Sequence, residues 1–291
     1  MKNKLLTSLA LSVAVGWGLA SCNQNSANLE SSKLTLTGSS TVAPLVSEIA
    51  KKFEAEREGV RIDVQTGGSS RGLADAAQSL ADIGMISRAL KEEEQEKFNS
   101  YAIAKDGIGI IIESSNRVTN LSDREIVDIY TGKINNWQEV GGENAPITVV
   151  NKAEGRSTLE LFLKYFQLKN SQIEADVIIG DNQQGIKTVA GNKNAIGYVS
   201  IGAAERDIDS GIPLKLLPVG GIEASTENVQ DGSFPLSRPL TLVTKETPSG
   251  LTKEFIEYAQ SEKVHELIKA QNFVPIASDK VVQVPTLNIK H

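Results

Sequence analysis

Cysteine, histidine and aromatic residues are scarce: this chain of 291 residues has one cysteine, two histidines and 5% Phe, Trp and Tyr. A lone cysteine forms no internal disulfide, and two histidines with one cysteine supply no zinc ligand set, so neither a disulfide scaffold nor a metal centre is expected. Basic excess is missing as well. Thirty Lys and Arg stand against 36 Asp and Glu, a formal charge of −6. No global field would hold such a protein on nucleic acid or an anionic membrane, so any anion must be gripped locally. There is no Walker A sequence, because Gly132-Lys133 is followed by Ile134, and no G-x-G-x-x-G, so nucleotide binding has no support and no cofactor is expected. What remains is a chain 40% hydrophobic and 23% charged with 24 glycines, two domains' worth of alternating strands and helices joined by tight turns.

The first residues read as a targeting segment. Lys2 and Lys4 precede an apolar run from Leu5 to Leu19, and Leu19-Ala20-Ser21 leads to Cys22. The run is shorter than the roughly 20 residues a spanning helix needs, so residues 1–21 read as a secretory signal and Cys22 as a lipidated N-terminus. Residues 22–32 form a polar tether, which places the protein outside the cytoplasm, held to membrane lipid through Cys22.

From Leu34 onward, short apolar runs alternate with amphipathic stretches. LTLTG (34–38) reads as a strand, and Val42, Leu45, Ile49 and Phe53 fall at helical spacing with Pro44 in the first turn. Strands are expected at Val60–Gly68, around ADIGMIS, in GIGIII after Asp106, at Ile147–Asn151, at Ala195–Gly202 and at Arg238–Lys245. Ser122 and Glu125 stand at capping-box spacing, Lys91–Phe98 reads as an acidic helix, and Leu251–Gln271 as one long amphipathic helix.

Three strand-to-helix junctions share one chemistry: GSST at 38–41, GGSSRG at 67–72 and EGRST at 154–158. A helix start offers unpaired N–H groups and partial positive charge, hydroxyls there can donate to an oxyanion, and glycine admits close approach. Ser and Thr are also ordinary N-caps, so one junction proves little. Three together, with Arg88 and Arg156 nearby, point to an anion at the carboxyl ends of the strands.

TGSSTVAPL, GGSSRG, DIGMISR, AKDGIGIII, LSDREIVDIYTGKINNWQEVGG, EGRSTLELF, NAIGYVSIG and FPLSRPL together resemble the phosphate-binding substrate receptors of bacterial phosphate ABC transporters, in order and over nearly the whole chain after the tether. The resemblance implies an α/β fold, a two-lobed periplasmic-binding-protein clamshell of the type II kind with two hinge crossovers. It also implies inorganic phosphate as ligand, permease subunits as partners, and no enzymatic activity; a monomer is expected. Carried over by position, the ligand loops fall on Ser39, Ser40 and Thr41, on Ser69 and Ser70, and on Ser87 and Arg88. The fourth loop departs from the family's Arg-x-x-Gly-Ser-Gly-Thr: here it reads Lys152-Ala153-Glu154-Gly155-Arg156-Ser157-Thr158. Either Arg156 supplies the fork that Lys152 lacks, or Arg156 points to solvent and Ser157 and Thr158 cap the helix. With hinges at GIGIII and RPLTLVTK, one lobe is residues 33–107 plus 238–291 and the other 108–237.

A carboxylate in the site would favour phosphate, which keeps a proton to donate, over sulfate, which has none. Asp106 is the first candidate and Asp82 the second, with a turn aspartate as the structural reading of Asp106. Two competing functions are carried forward. One is a receptor for another oxyanion such as sulfate, molybdate or arsenate. The other is a serine hydrolase, since Gly68–Gly72 fits G-x-S-x-G, although His265 lies in a helical pattern and His291 ends the chain, leaving no evident base.

Overall fold

The computed structural model describes residues 32–276. The signal segment, Cys22, most of the tether and His291 lie outside the described residues. In chain order the elements are β1 (Ser32–Gly38), α1 (Ala43–Ala55), β2 (Val60–Thr66), α2 (Ser69–Ala77), β3 (Ile83–Ile86), α3 (Glu92–Gln95), β4 (Asn99–Glu113) and α4 (Asp123–Tyr130). There follow β5 (Thr148–Lys152), α5 (Ser157–Tyr165), β6 (Val177–Ile179), α6 (Asn182–Ala190), β7 (Ala195–Ser200), α7 (Ile201–Asp209), β8 (Leu214–Leu217) and α8 (Thr226–Asp231). The chain closes with β9 (Ser237–Thr244), α9 (Gly250–Ala259), α10 (His265–Ala270) and β10 (Val274–Pro275).

One curled mixed sheet runs in the order β2-β1-β3-β9-β4-β7-β5-β6, with β8 and β10 also pairing β4. Strands β1, β2 and β3 are parallel, as are β5, β6 and β7, whereas β9 and β4 run antiparallel to their neighbours. The two parallel groups are the sheets of two lobes. Strand β4 joins them: it pairs β9 from Asn99 to Gly107 and then β7 from Ile108 to Ile112. The first lobe's core gathers Leu36, Leu45, Ile49 and Phe53 with Phe255 and Leu242. The second lobe is built around Tyr130, Trp137, Phe162 and Tyr198, with a further cluster on Ile186 and Val189. Burying such aliphatic and aromatic faces, at about 25 cal/mol per Å² of apolar surface, is what fixes each sheet against its helices.

Local rules explain most element boundaries. Val42, Leu45, Ile49 and Phe53 are all buried, and Ser122 with Glu125 closes the expected capping box on α4. Three expectations need correction. The acidic helix shrinks to the single turn α3. The strand expected after Asp106 extends back to Asn99, because β9 supplies a partner for residues with little alternation of their own. The C-terminal helix breaks after Ala259. There the Ser261 hydroxyl donates to the Tyr258 carbonyl at 2.7 Å and Gln260 Nε2 donates to the Ala102 carbonyl at 3.0 Å, drawing the chain out of the helical ladder. Among the described residues no helix is long and apolar enough to cross a membrane.

Candidate functional site

The carboxyl ends of β1, β3 and β5 meet the start of β9 where the two lobes face each other. At the floor lies Arg238, buried with five hydrogen bonds for its five N–H donors. Nε and Nη2 donate to Asp106 Oδ2 at 3.1 and 2.8 Å, Nη1 to Thr158 Oγ1 at 2.8 Å and Ser87 Oγ at 3.4 Å, and Nη2 to Thr41 Oγ1 at 3.4 Å. The guanidinium thus gathers three hydroxyls drawn from three segments, the turn before α1, the end of β3 and the first turn of α5. Each hydroxyl oxygen accepts from Arg238, so each keeps its own proton for another acceptor.

Lys152, at the end of β5, is buried 3% exposed, and its only side-chain partner among the described residues is neutral: Nζ donates to Asn182 Oδ1 at 3.1 Å. Asn182 in turn donates through Nδ2 to Thr41 Oγ1 at 3.1 Å, tying the second lobe's α6 to the first lobe's α1 loop. Burial first, then the nearby Arg238 charge, holds the Lys152 ammonium down to about 7; Asp181 acts the other way, and Arg156 adds to the lowering.

The starts of α2 and α5 meet across the cleft. Ser70 N donates to the Gly155 carbonyl at 3.2 Å, and Gly68, at φ +96°, is a necessary glycine because a Cβ there would stand 2.8 Å from that carbonyl oxygen. Two positive helix ends so close repel unless an anion sits near them. On α5, Ser157 Oγ is buried without a hydrogen-bond partner among the described residues. The backbone N–H groups of Ser157, Thr158 and Leu159 likewise meet no acceptor there. Arg156 lies with its side chain against Gly68 and near Gly180, and makes no ion pair among the described residues. Beside Thr41 and Asn182 opens a cavity of about 320 Å³ lined also by Ser40, Asp181, Gln183 and Arg206.

The expected site residues therefore separate into groups. Thr41, Ser87 and Thr158 converge on Arg238, and Lys152, Gly155, Arg156 and Ser157 surround the start of α5. Ser40 lines the adjoining cavity. Ser39 instead caps the turn before α1, its Oγ accepting from Thr41 N at 3.2 Å and Val42 N at 3.4 Å. Ser69 Oγ accepts from Ser87 N at 3.2 Å, and the Ser70 side chain is exposed. Arg88 departs from its expected role: its guanidinium is taken up by Glu94, at 2.7 and 2.9 Å, and by Glu160 at 3.1 Å. Asp106 departs too. Oδ2 is filled by Arg238 and Oδ1 accepts from Ser200 Oγ at 3.0 Å and Gly202 N at 3.3 Å, so the carboxylate is the counter-ion of the floor, with no lone pair turned to a ligand proton. Asp82 sits at the opposite end of β3, accepting from Thr35 N at 2.7 Å.

Sequence reasoning missed Arg238 and Asn182. The signal for the first is present: a lone arginine abutting an apolar strand, RPLTLV, must be paired if buried, although the strand itself reads only as a hinge. Asn182, in GDNQQG, reads as an ordinary helix start, and nothing in the sequence marks its contact with Thr41.

A PBP superfamily domain model matches residues 23–263. The phosphate-binding protein PstS of Bacillus subtilis (strain 168) is 30% identical, over 97% of each chain. A crystal structure from Clostridium perfringens, described as a phosphate ABC transporter substrate-binding protein with bound phosphate, superposes with a TM-score of 0.78 at 33% identity, covering 84% of this chain and all of that one. An ABC-type phosphate transport receptor from Vibrio cholerae gives a TM-score of 0.69 at 28% identity, covering 84% of this chain and 100% of the other. The chain belongs to the PBP superfamily and, within it, to the family of the phosphate-binding proteins PstS.

Proposed function

We propose that this protein captures inorganic phosphate between its two lobes, outside the cytoplasm, and delivers it to the permease of an ABC transporter. The observation that carries the reading is the imbalance at the start of α5. Lys152 and Arg156 stand without a carboxylate partner among the described residues, next to Ser157, Thr158 and three unpaired N–H groups. Lys152 is buried and Arg156 half-buried; a buried cation is paired in a folded protein, and an oxyanion supplies the missing charge and the missing acceptors at once. The hydroxyls of Thr41, Ser87 and Thr158, whose oxygens accept from Arg238 and whose protons remain to be donated, complete a ring of donors from both lobes. On this reading phosphate contacts Thr41, Ser87, Lys152, Gly155, Arg156, Ser157 and Thr158, while Asp106 and Arg238 hold the floor.

The lobes divide at residues 33–107 plus 238 onward and 108–237, supported by the change of β4 partner between Gly107 and Ile108. Binding then draws the lobes together over the anion. The chain acts as a binding protein rather than an enzyme, as a monomer anchored through lipid on Cys22. Titration calorimetry with phosphate, arsenate, sulfate and molybdate tests the ligand: phosphate binds tightest, and sulfate or molybdate equalling it overturns the assignment. Cys22→Ser moves the protein from the membrane to the soluble fraction with phosphate affinity intact; an unchanged membrane fraction overturns the anchor.

A further inference from the structure

Behind the ligand groups lies a second set of charges that the capture of phosphate does not use. Arg88 follows β3 in the first lobe and is 4% exposed. Glu94, one turn further on in the same lobe, holds its guanidinium through two hydrogen bonds of 2.7 and 2.9 Å. The third member comes from the other lobe: Glu160, in the first turn of α5, places Oε2 3.1 Å from Arg88 Nε and 3.3 Å from Lys91 Nζ. That oxygen is buried and makes no aligned hydrogen bond among the described residues, as is also true of Arg88 Nε. Its stabilisation is therefore charge on charge, two cations of one lobe facing one carboxylate of the other. Burial opposes the Arg88 charge, and Glu94 and Glu160 outweigh it.

Separation of the lobes leaves Arg88 with Glu94 but strips Glu160 of both cations. The four charges balance only when the cleft is shut. Glu160 is also on the same helical turn as the unpaired N–H groups of Ser157, Thr158 and Leu159, so whatever seats Glu160 seats those donors. Resting on the reading that the lobes close over phosphate, we propose that Arg88, Lys91, Glu94 and Glu160 form an ionic latch across the cleft. The latch biases the ligand-free protein toward closure and so sets phosphate affinity from outside the ligand contacts. Glu160 is its moving part and a positioning residue for the α5 donors. The apparent dissociation constant scales inversely with the fraction of molecules already closed, so weakening the latch weakens binding without touching a ligand group.

The test reads lobe separation without ligand. Dyes are placed at the exposed positions Glu58→Cys and Glu143→Cys, one per lobe, in a Cys22→Ser background, and single-molecule energy transfer is recorded for the ligand-free mature chain. Glu160→Gln keeps the side chain's shape and removes its charge. It is expected to shift the distribution toward wider separation and to weaken phosphate binding roughly two- to fivefold, the range for a partly screened pair. Raising salt opens the unsubstituted protein by screening the latch and has less effect on Glu160→Gln. Lys91→Met, which removes the more exposed cation, gives a smaller shift of the same sign. Identical distributions for Glu160→Gln and the parent overturn the latch. A shifted distribution in a protein that binds no phosphate leaves the latch standing and overturns the ligand assignment instead.

Discussion

The floor of the cleft and the start of α5 both hold buried cations, and they treat them in opposite ways. At the floor, Arg238 meets Asp106 and three hydroxyls, so charge and every donor are satisfied within the protein. At α5, Lys152 has a neutral amide for company and Arg156 has no ion-pair partner among the described residues. A paired cation is architecture, whereas an unpaired one in a buried cleft is an affinity waiting for an anion. Arg88 makes the same point from a third place: it looks like a ligand arginine in sequence, yet Glu94 and Glu160 consume its charge.

Removing the floor's counter-ion breaks the comparison most severely. Asp106→Asn leaves Arg238 buried without its carboxylate, and stability should fall by about 3–5 kcal/mol, read by denaturant unfolding. Unchanged stability with a raised sulfate-to-phosphate affinity ratio would instead place Asp106 among the ligand contacts. Thr158 joins the two regions, accepting from Arg238 and facing α5's donors. Thr158→Val should cost phosphate affinity about tenfold to a hundredfold, the worth of roughly 1.5–3 kcal/mol for a hydrogen bond to a charged group, and calorimetry measures it. Wild-type affinity would reduce Thr158 to a helix residue.

Lys152 sharpens the contrast through pH. Its proton leaves at about 7 in the native state, against an ordinary 10.5, so between those values the unfolded chain binds a proton the native protein does not. Ligand-free stability therefore rises with pH from about 7 toward 10, and below 7 the buried charge weighs on the fold in full. Lys152→Met should flatten this rise, melt at least about 2 °C higher at pH 6, and bind phosphate more weakly. A pH profile parallel to the parent's would show that Lys152 is solvated in the native state. The smallest effect belongs to Ser70. Its side chain is exposed and its contact with Gly155 is made by backbone, so Ser70→Ala should change phosphate affinity by less than a factor of about two. A tenfold loss would bring that hydroxyl into the ligand's contacts.

Much of the fold was legible because local periodicity decides it. Val42, Leu45, Ile49 and Phe53 face the core as their spacing requires, and Ser122 and Glu125 cap α4 through groups three residues apart. Legibility failed where a distant partner decides the outcome. The first half of β4 is a strand because β9 pairs it, and the helix after Gly250 breaks because Gln260 reaches the Ala102 carbonyl.

The site divides along the same line. By itself the sequence determined that hydroxyls, glycines and cations gather at strand-to-helix junctions, since each junction is a matter of a few adjacent residues. Which cation faces a ligand was decided only in three dimensions. Arg88 and Arg156 each lie beside a hydroxyl, in Ser87-Arg88 and Arg156-Ser157, but Glu94 and Glu160 neutralise the first and the second meets no carboxylate among the described residues. Asp106 and Arg238 lie 132 residues apart, joined by neighbouring strands: the sequence shows that a buried Arg238 needs a partner, and only the strand pairing decides that the partner is Asp106.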